Sequence, residues 1–405
     1  MRGSHEGMHE RTQQADQGLS GLAVQEAAET TQPQVSVVIP CLNEADSIET
    51  CVSESQKALE AGGYAGEVIV VDNGSTDESA SLAEAAGAHV VHEARRGYGN
   101  AYLAGLTAAR GDYIVMIDAD LTYDIHELPR FVDELKGGGD LVLGDRMEGI
   151  QPGAMPWLHR YVGNPVLTGL LNRLYDADVK DAHCGMRALR RDVLPRLDLR
   201  TSGMELASEM VIRAAKVGLE IRQFPIEYRP RRGESKLSTW RDGWRHLRFL
   251  LIHSPTHLFL IPGGVMLALG ALVMISVLAQ ISVVGRQWDI HAEIGGALLL
   301  IVGTQVIALG LCAHAYGIYF MGERDTWFQR MRDRYRLEHG LLLSGVIILA
   351  GLVLGGVLLG TWIDRGFGEL SEQRIAVLAA TLITVGIQIL FTSFLLSILG
   401  LRRPR

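Results

Sequence analysis

The sequence predicts an α/β domain built on a mainly parallel sheet, followed by a region of four membrane-spanning helices. Between residues 35 and 143, short β-branched apolar runs alternate with segments of helical spacing. This alternation is typical of βαβ units whose sheet is covered by helices on both faces. After His257, charged residues become rare and four long apolar windows follow one another. Each window reaches the ~20 residues that a helix needs to cross a bilayer.

The 405-residue chain has room for two or three domains. Residues 1–33 are polar, rich in Gln and Glu, and lack the apolar segment of a signal peptide, so we expect a disordered leader. The cysteines at positions 41, 51, 184 and 312 show no CxxC or Cys/His ligand spacing. This distribution predicts reduced thiols in a reducing compartment and argues against a zinc site.

Five runs in the α/β region have the length and composition of buried strands, and helix-like segments separate them. The predicted strands are 35–39, 68–71, 89–91, 113–117 and 140–143. The predicted helices are 45–61, 76–87, 99–110 and 126–136. In open sheets of this kind, ligands bind beyond the carboxyl ends of the strands. We therefore expect the functional residues to follow these strands directly.

Acidic and amide side chains stand at three of those strand ends. The first strand runs into Asn43 and Glu44, the second into Asp72, and the fourth into Asp118-Ala-Asp120. Neither glycine-rich phosphate loop is present: there is no GxxxxGK[ST], and the segment 97–102 lacks the third glycine of GxGxxG. The pattern indicates a nucleotide crevice whose phosphates are neutralised by something other than a glycine cradle.

The pair Asp118 and Asp120 suits a divalent metal that bridges the two phosphates of a nucleotide. Mg²⁺ and Mn²⁺ prefer oxygen ligands, take one or two carboxylates, and leave their other positions to water and substrate phosphates. An isolated Asp-x-Asp is more often a solvated turn or a helix cap, but here it follows a buried strand. We interpret Asp124 as the cap of a helix that begins near Ile125.

Five ordered motifs resemble the glycosyltransferase family 2 catalytic domain, which has the GT-A fold. Three of them, within 35–44, 70–77 and 111–121, carry the strand ends described above. The other two, Asp181-Ala-His-Cys-Gly-Met-Arg187 and Arg231-Arg-Gly-Glu-Ser-Lys236, resemble the branch that transfers a sugar onto polyprenyl phosphate, typified by dolichyl-phosphate mannose synthase. The resemblance covers about residues 35–253.

The resemblance implies a nucleotide-sugar pocket and a metal site. The residues implied for the pocket are Pro40, Asn43, Glu44, Asp72, Asp118 and Arg146. Asp120 would be the principal ligand of Mg²⁺ or Mn²⁺, and Asp118 would contact the ribose or the metal. The chain departs from the family at two positions, because it has Asp145 where relatives have Ser before the Arg, and Thr122 where many have Gln.

A polyprenyl phosphate acceptor is largely ionised at neutral pH, since the second pKa of a phosphomonoester is ~6. It can attack the anomeric carbon without a strong general base, and the sequence offers no clear catalytic His–carboxylate pair. Cationic groups are needed on the leaving diphosphate and on the incoming phosphate. The candidates for the acceptor phosphate are Arg187, Arg229, Arg231, Arg232, Ser235 and Lys236. We favour Arg231 and Lys236; for Arg229 and Arg232 the alternative is a basic patch at the membrane surface.

Glu205 and Glu209 each have two interpretations, and His183 has a structural one. Glu205 and Glu209 are four apart on a helix-like stretch and share one face. They are either ligands of the sugar hydroxyls or members of a solvated face. His183, beside Cys184, is interpreted as a packed loop histidine.

The residues predicted to act in catalysis are Asp118, Asp120, Arg187, Arg231 and Lys236.

The predicted membrane spans are 258–284, 294–320, 341–363 and 375–400. Arginines concentrate in the link between the second and third spans and in the tail 401–405. By the positive-inside rule, this predicts an inner or plasma membrane protein with its catalytic domain, residues 34–235, and both termini in the cytoplasm. Two amphipathic stretches, about 154–175 and 236–257, place aromatic and Leu residues on one face and Arg on the other, as in helices that lie in the membrane interface.

Together these features predict an inverting, metal-dependent hexosyltransferase. It would move one hexose from a UDP- or GDP-sugar to a polyprenyl phosphate lipid at the membrane, with no nucleic-acid partner; a homo-oligomer is left open. One alternative is a transferase or synthase that extends a glycan or a lipid-linked saccharide, although the chain has no Q-x-x-R-W of processive synthases. Another is a non-catalytic lipid flippase or scaffold, although polar groups in the predicted spans are few.

Overall fold

A computed structural model describes residues 32–231, 239–283, 286–320, 337–367 and 372–401. The chain divides into two compact units, Met1–Leu247 and Arg248–Arg405. The predicted disordered leader lies outside the described residues except for positions 32 and 33, and the basic tail lies outside them from position 402. The basic link between the second and third spans, 321–336, also lies outside them.

The first unit is built on a seven-stranded sheet with one antiparallel member. Its strands are β1 (Val35–Cys41), β2 (Gly66–Asp72), β3 (His89–His92), β4 (Tyr113–Met116), β5 (Leu141–Asp145), β6 (Arg187–Arg190) and β7 (Ile221–Pro225). Their order across the sheet is β3-β2-β1-β4-β6-β5-β7, and β6 runs antiparallel to both of its neighbours. The predicted mainly parallel sheet is confirmed. Five of its strands coincide with the predicted runs, whereas β6 and β7 were missed.

Four helices cover the sheet close to where the sequence predicts them. They are α1 (Ile48–Ala61), α2 (Ser79–Ala85), α3 (Tyr98–Ala108) and α4 (Leu128–Lys136). The buried side chains of α1 include Ile48, Cys51, Val52 and Leu59, so one stripe of the helix faces the core. Each such aliphatic side chain contributes roughly 1.5–3 kcal/mol when it is fully buried. Phe131 of α4 packs against Phe224 with ring centroids 4.6 Å apart.

The strand registers bring the sequence motifs to one edge of the sheet. Cys41 pairs with Asp72 across β1 and β2, and Val38 pairs with Met116 across β1 and β4. Because β6 is antiparallel, it begins at the same edge where β4 ends: Arg187 pairs with Met116. The loops after β1, β2, β4 and β5 and the loop before β6 therefore meet there.

The remaining helices of the first unit follow β5. They are α5 (Asn164–Tyr175), α6 (Leu194–Leu197), α7 (Leu206–Val217) and α8 (Thr239–Ile252), the last of which continues into the second unit. A π-helical turn, His159–Gly163, leads into α5. The turn and the residues on either side of it expose large apolar side chains, including Trp157 (68%), Tyr161 (58%) and Val166 (60%).

Among its described residues, the second unit contains four helices long and apolar enough to cross a membrane, as predicted. They are α9 (Ile261–Leu278), α10 (Ile290–Phe320), α11 (Leu337–Asp364) and α12 (Gln373–Leu401). The first span ends at Leu278 rather than at the predicted residue 284, because Gln280 adopts φ +53° and a two-stranded hairpin follows. Gly270 and Gly296 allow α9 and α10 to pack closely: a Cβ on Gly270 would lie 2.8 Å from the Gly296 carbonyl oxygen.

Candidate functional site

Asp118 follows β4 and is held by side chains from two other elements. Its Oδ1 accepts hydrogen bonds from the hydroxyls of Tyr98, at 2.9 Å, and Tyr102, at 3.2 Å, both on α3. A Cβ on Gly185 would clash with Asp118 Oδ2, so a larger residue in the loop before β6 would have to displace this carboxylate. Burial, reinforced by the charge of Asp120, raises the pKa of Asp118 to about 6. The two tyrosines were not predicted, since nothing in the sequence links them to a carboxylate 16 to 20 residues away.

The two carboxylate oxygens of Asp120 have different partners: one accepts hydrogen bonds within a turn, and the other faces Arg231. Oδ1 accepts hydrogen bonds from the Thr122 amide, at 3.1 Å, and the Thr122 hydroxyl, at 2.7 Å. Oδ2 lies 3.5 Å from Nη1 of Arg231. Thr122 therefore orients Asp120.

The donor chemistry of Asp118 and Asp120 fits Mg²⁺ or Mn²⁺, since both side chains present carboxylate oxygens at one crevice. Within the part of the chain that the structure describes, no cluster of three or more His, Cys, Asp or Glu residues could hold a metal by itself. A metal held by two carboxylates would therefore need water and substrate oxygens to complete its shell.

Arg231 connects the first and third motifs. Its Nη2 donates to Oε1 of Glu44 at 2.7 Å, while Nη1 faces Asp120. The sequence predicted Arg231 as an acceptor ligand and Glu44 as a nucleotide ligand, and the structure brings both together with Asp120. The other residues predicted from this motif, Arg232, Ser235 and Lys236, lie outside the described residues.

The loops after β1 and β2 form the other half of the crevice. Asn43 adopts φ +53°, and its Oδ1 accepts a hydrogen bond from the Thr76 amide at 2.7 Å. Pro40 is half-buried in β1 beside this loop. Asp72 Oδ1 accepts from the Ser75 amide at 3.0 Å, and its Oδ2 lies 3.3 Å from Nδ1 of His92.

The contact between Asp72 and His92 is a His–carboxylate pair that the sequence did not reveal, because His92 ends a different strand. Burial opposes ionisation of Asp72, but hydrogen bonds from Ser75 and His92 outweigh it and lower the pKa of the carboxyl. The imidazole is 67% exposed and lies at the end of β3, near the edge of the sheet. Asp72 is thus ionised at neutral pH.

Arg146, predicted to contact the nucleotide, is committed to a buried ion pair instead. Its Nε and Nη2 donate to the two carboxylate oxygens of Asp181 at 2.6 and 2.9 Å, and its side chain is 8% exposed. The guanidinium also lies over the Tyr228 ring at 5.2 Å. Burial opposes ionisation of Asp181, but Arg146 more than compensates and lowers the pKa of the Asp181 carboxyl. Arg146 acts here through its positive charge, which partly offsets the raised pKa of Asp118.

Arg187, predicted as a catalytic ligand of the acceptor phosphate, is also placed differently. Its residue exposure is 1%, and its guanidinium donates to the carbonyl oxygens of Ala182, Cys184 and Ala207. A fully buried guanidinium whose donors meet carbonyls cannot also bind a phosphate in the crevice. Arg187 therefore holds the loop before β6 against α7.

The two glutamates predicted as sugar ligands or a solvated face are both buried. Glu209 accepts hydrogen bonds from the amides of Arg200 and Thr201 at 2.9 to 3.2 Å, so it stabilises a loop. Glu205 Oε1 lies 3.3 Å from Nε of Arg245. Neither alternative from the sequence describes Glu209, because its carboxylate is used by backbone donors.

Asp124 and Arg229 form a second cation–carboxylate contact near the crevice. Asp124 caps a 3₁₀ turn, as its Oδ1 accepts from the His126 amide at 3.1 Å, which confirms the predicted cap. Its Oδ2 accepts from Nη2 of Arg229 at 2.6 Å, and Arg229 also donates to Glu227 at 2.8 Å. Arg229, predicted as an acceptor ligand, is thus paired with two carboxylates.

His183 is packed, as predicted, between two elements. Its Nε2 lies 3.2 Å from the Ser208 hydroxyl, and its ring contacts His246 edge to face at 4.8 Å. Burial, with the charge of His246, lowers the pKa of His183 to about 3. Two surface clefts among the described residues lie at the other edge of the sheet, near the beginnings of β4 and β2, and thus away from these groups.

Comparison with known proteins gives consistent matches. A model described as glycosyl transferase family 2 matches residues 36–197, and one described as the glycosyltransferase family 2 C-terminal transmembrane region matches residues 311–400. The low-salt glycan biosynthesis hexosyltransferase Agl6 of Haloferax volcanii is 42% identical over 373 residues, which cover 91% of this chain and 89% of the relative.

The names of two further relatives specify a lipid acceptor. A dolichyl-phosphate hexose transferase of Haloferax volcanii is 36% identical over 217 residues, covering 53% of this chain and 91% of the relative. An undecaprenyl-phosphate 4-deoxy-4-formamido-L-arabinose transferase of Enterobacter sp. strain 638 is 30% identical over 321 residues, covering 75% of this chain and 93% of the relative.

Proposed function

Since this chain belongs to glycosyltransferase family 2 and is therefore a glycosyltransferase, we propose that it transfers a single hexose from a nucleotide diphosphate sugar to polyprenyl phosphate, with inversion at the anomeric carbon. The observation that carries the proposal is the meeting of Asp118, Asp120 and Arg231 at one edge of the sheet. Two carboxylates suited to a metal and a guanidinium suited to a phosphate lie together there. The names of the two lipid-phosphate transferases among its relatives support the same acceptor class.

The loops after β1 and β2 are proposed to bind the nucleotide. Asn43 ties the two loops together and Asp72 is ionised, which suits the donor groups of a ribose or a base. Pro40 and Glu44 lie on the same segment. A divalent cation, Mg²⁺ or Mn²⁺, held by Asp120 and Asp118 would supply charge neutralisation of the diphosphate when bound.

The transfer itself needs little acid–base chemistry from the protein. An ionised phosphate oxygen of the acceptor attacks the anomeric carbon, the bond from that carbon to the diphosphate oxygen breaks, and the nucleoside diphosphate leaves with the electron pair. Arg231 is proposed to bind the acceptor phosphate, because its planar fork suits a phosphate better than a point charge does. The buried charge of Arg146 adds positive potential beside Asp118.

The four apolar helices make this a membrane protein, and we place the catalytic unit on the cytoplasmic side. The arginine-rich link between the second and third spans supports this orientation under the positive-inside rule. The exposed face that includes Trp157, Tyr161 and Val166 is proposed to lie in the membrane interface, where Trp and Tyr are favoured. A lipid phosphate would then reach the crevice at headgroup depth.

The test is incubation of the purified full-length protein with polyprenyl phosphate, Mn²⁺ or Mg²⁺, and a panel of radiolabelled UDP- and GDP-hexoses, followed by extraction into organic solvent. We expect label in a lipid monophosphosugar, loss of that label with EDTA, and loss in Asp120→Asn. The control is Asp192→Asn, which removes an exposed carboxylate paired with Arg190 and should keep full transfer.

Two results would count against the proposal. Label in a lipid-linked saccharide or a growing polymer, and none in the monophosphosugar, would identify a glycan-extending transferase; the name of the Agl6 relative, a glycan biosynthesis hexosyltransferase, makes this the second candidate. Full transfer by Asp120→Asn would contradict the metal role. The panel also identifies the sugar and the nucleotide in the same experiment.

A further inference from the structure

Arg231 contacts carboxylates from two different motifs. Its Nη2 donates to Glu44 Oε1 at 2.7 Å, and its Nη1 lies 3.5 Å from Asp120 Oδ2. The carboxylate side chains are only 14% and 13% exposed, and that of Arg231 is 24% exposed. Since water screens these charges only partly, their attraction is stronger than that of an exposed surface pair.

The oxygen of Asp120 that Arg231 faces is also the one that is available to a metal. Asp120 Oδ1 already accepts two hydrogen bonds from Thr122, which leaves Oδ2 for any other cation. A guanidinium and a divalent ion beside the same oxygen repel each other. The positive charge of Arg231 therefore opposes a divalent cation at Asp120.

The contacts of Arg231 with Asp120 and Glu44 differ in strength. A distance of 3.5 Å from Nη1 to Asp120 is longer than an N–H···O hydrogen bond in good geometry. Among the residues that the structure describes, the buried Nε of Arg231 has no hydrogen-bond partner. The contact with Asp120 is thus electrostatic and easily exchanged, whereas the contact with Glu44 is a short charge-assisted hydrogen bond.

We propose that Arg231 serves as a stand-in cation at Asp120 in the substrate-free enzyme, and that its positive charge opposes the binding of a divalent metal there. The inference rests on the proposed function, from which it takes Asp120 as the metal ligand. A divalent metal at Asp120 would in turn reduce the attraction of Arg231 to that carboxylate.

The experiment measures Mn²⁺ binding to the full-length protein by electron paramagnetic resonance of free Mn²⁺, first without nucleotide and then with UDP or GDP. The variants are Arg231→Gln and a matched control, Arg229→Gln. Arg229 is two positions away and carries the same charge, but it pairs with Asp124 and Glu227 instead of Asp120. Comparison of the two variants separates competition at Asp120 from the general effect of removing a positive charge.

We expect Arg231→Gln to bind Mn²⁺ about fivefold more tightly than Arg229→Gln in the absence of nucleotide, which corresponds to the loss of one partly shielded ion pair. Arg231→Lys, which keeps the charge but lacks the fork that reaches two carboxylates, should fall between wild type and Arg231→Gln. It also serves as the test variant if Arg231→Gln does not fold.

Equal Mn²⁺ affinity in Arg231→Gln and Arg229→Gln would overturn the inference and leave the proposed metal site intact. Weaker binding in Arg231→Gln would overturn it as well, because Arg231 would then assist the metal. Absence of Mn²⁺ binding in every protein, even with UDP or GDP, would remove the metal role of Asp120 and with it the premise of the inference. Each failure is therefore distinguishable from the others.

Discussion

Replacement of Asp181 by Asn should destabilise the catalytic unit strongly, although the change is isosteric. Asp181 is 1% exposed and accepts two hydrogen bonds from the Arg146 guanidinium, at 2.6 and 2.9 Å. Removal of one partner from a buried ion pair costs about 3–5 kcal/mol, because the remaining charge is left uncompensated. In a unit of this size, 1 kcal/mol shifts Tm by roughly 2–4 °C. Since Asn retains one acceptor for Arg146, we expect a decrease in Tm of about 6–12 °C.

The assay is thermal unfolding of the purified full-length protein, followed by tryptophan fluorescence. The matched control is Asp192→Asn, which breaks the exposed pair between Arg190 and Asp192 and should change Tm by no more than about 2 °C. The double variant Arg146→Met with Asp181→Leu should recover part of the loss, because it removes both charges. A decrease of less than about 2 °C in Asp181→Asn would refute the view that this buried pair stabilises the catalytic unit.

Three other changes have defined outcomes. Gly185→Ala should reduce kcat by at least about tenfold with little loss of expression, since the new Cβ clashes with Asp118 Oδ2 and one misplaced group can cost more than that; unchanged kcat would show that the loop yields. Burial and Asp120 raise the pKa of Asp118 to about 6, above an unfolded value of about 3.9, so the stability from this group is present below pH ~4 and lost as pH rises through about 6. Asp118→Asn should therefore raise Tm in EDTA at pH 7.5 by about 2–5 °C while it abolishes transfer, and a lower Tm would contradict the raised pKa. Glu209→Gln should lower Tm by about 4–8 °C because it weakens charge-assisted bonds to the amides of Arg200 and Thr201; an unchanged Tm would argue against this loop-holding role.

The parts of the fold that the sequence predicts are those whose local composition agrees with their burial. β1 and β2 are nearly continuous Val and Ile runs, since strands buried on both faces need apolar side chains at every position. β6 and β7 escape such reasoning for a physical reason. β6 begins and ends with arginine, and β7 contains Arg, Gln and Pro within five residues. Their pairing with β4 and β5 depends on contacts distant in sequence, which no local pattern records.

The residues of the candidate site also differ in whether the sequence predicts them. Asp118, Asp120 and Glu44 are found at strand ends, as the order of strands and helices predicts. The contacts of Arg146 and Arg187 could not be predicted, because a guanidinium that binds a phosphate and one that is buried against Asp181 or backbone carbonyls look the same in sequence. Only the tertiary structure decides which arginines are consumed by the scaffold.

The single antiparallel strand gives the two halves of the crevice separate origins. In a fully parallel sheet, only segments that leave a strand reach the carboxyl edge, so every binding loop would also be a link to the next helix. Here β6 enters at that edge, so the stretch from Asp145 to Arg187 both leaves β5 and returns to β6 there, outside the βαβ units that carry the loops after β1 and β2. That stretch can therefore change in length or sequence without altering the geometry of the loops after β1 and β2, which we propose to bind the donor.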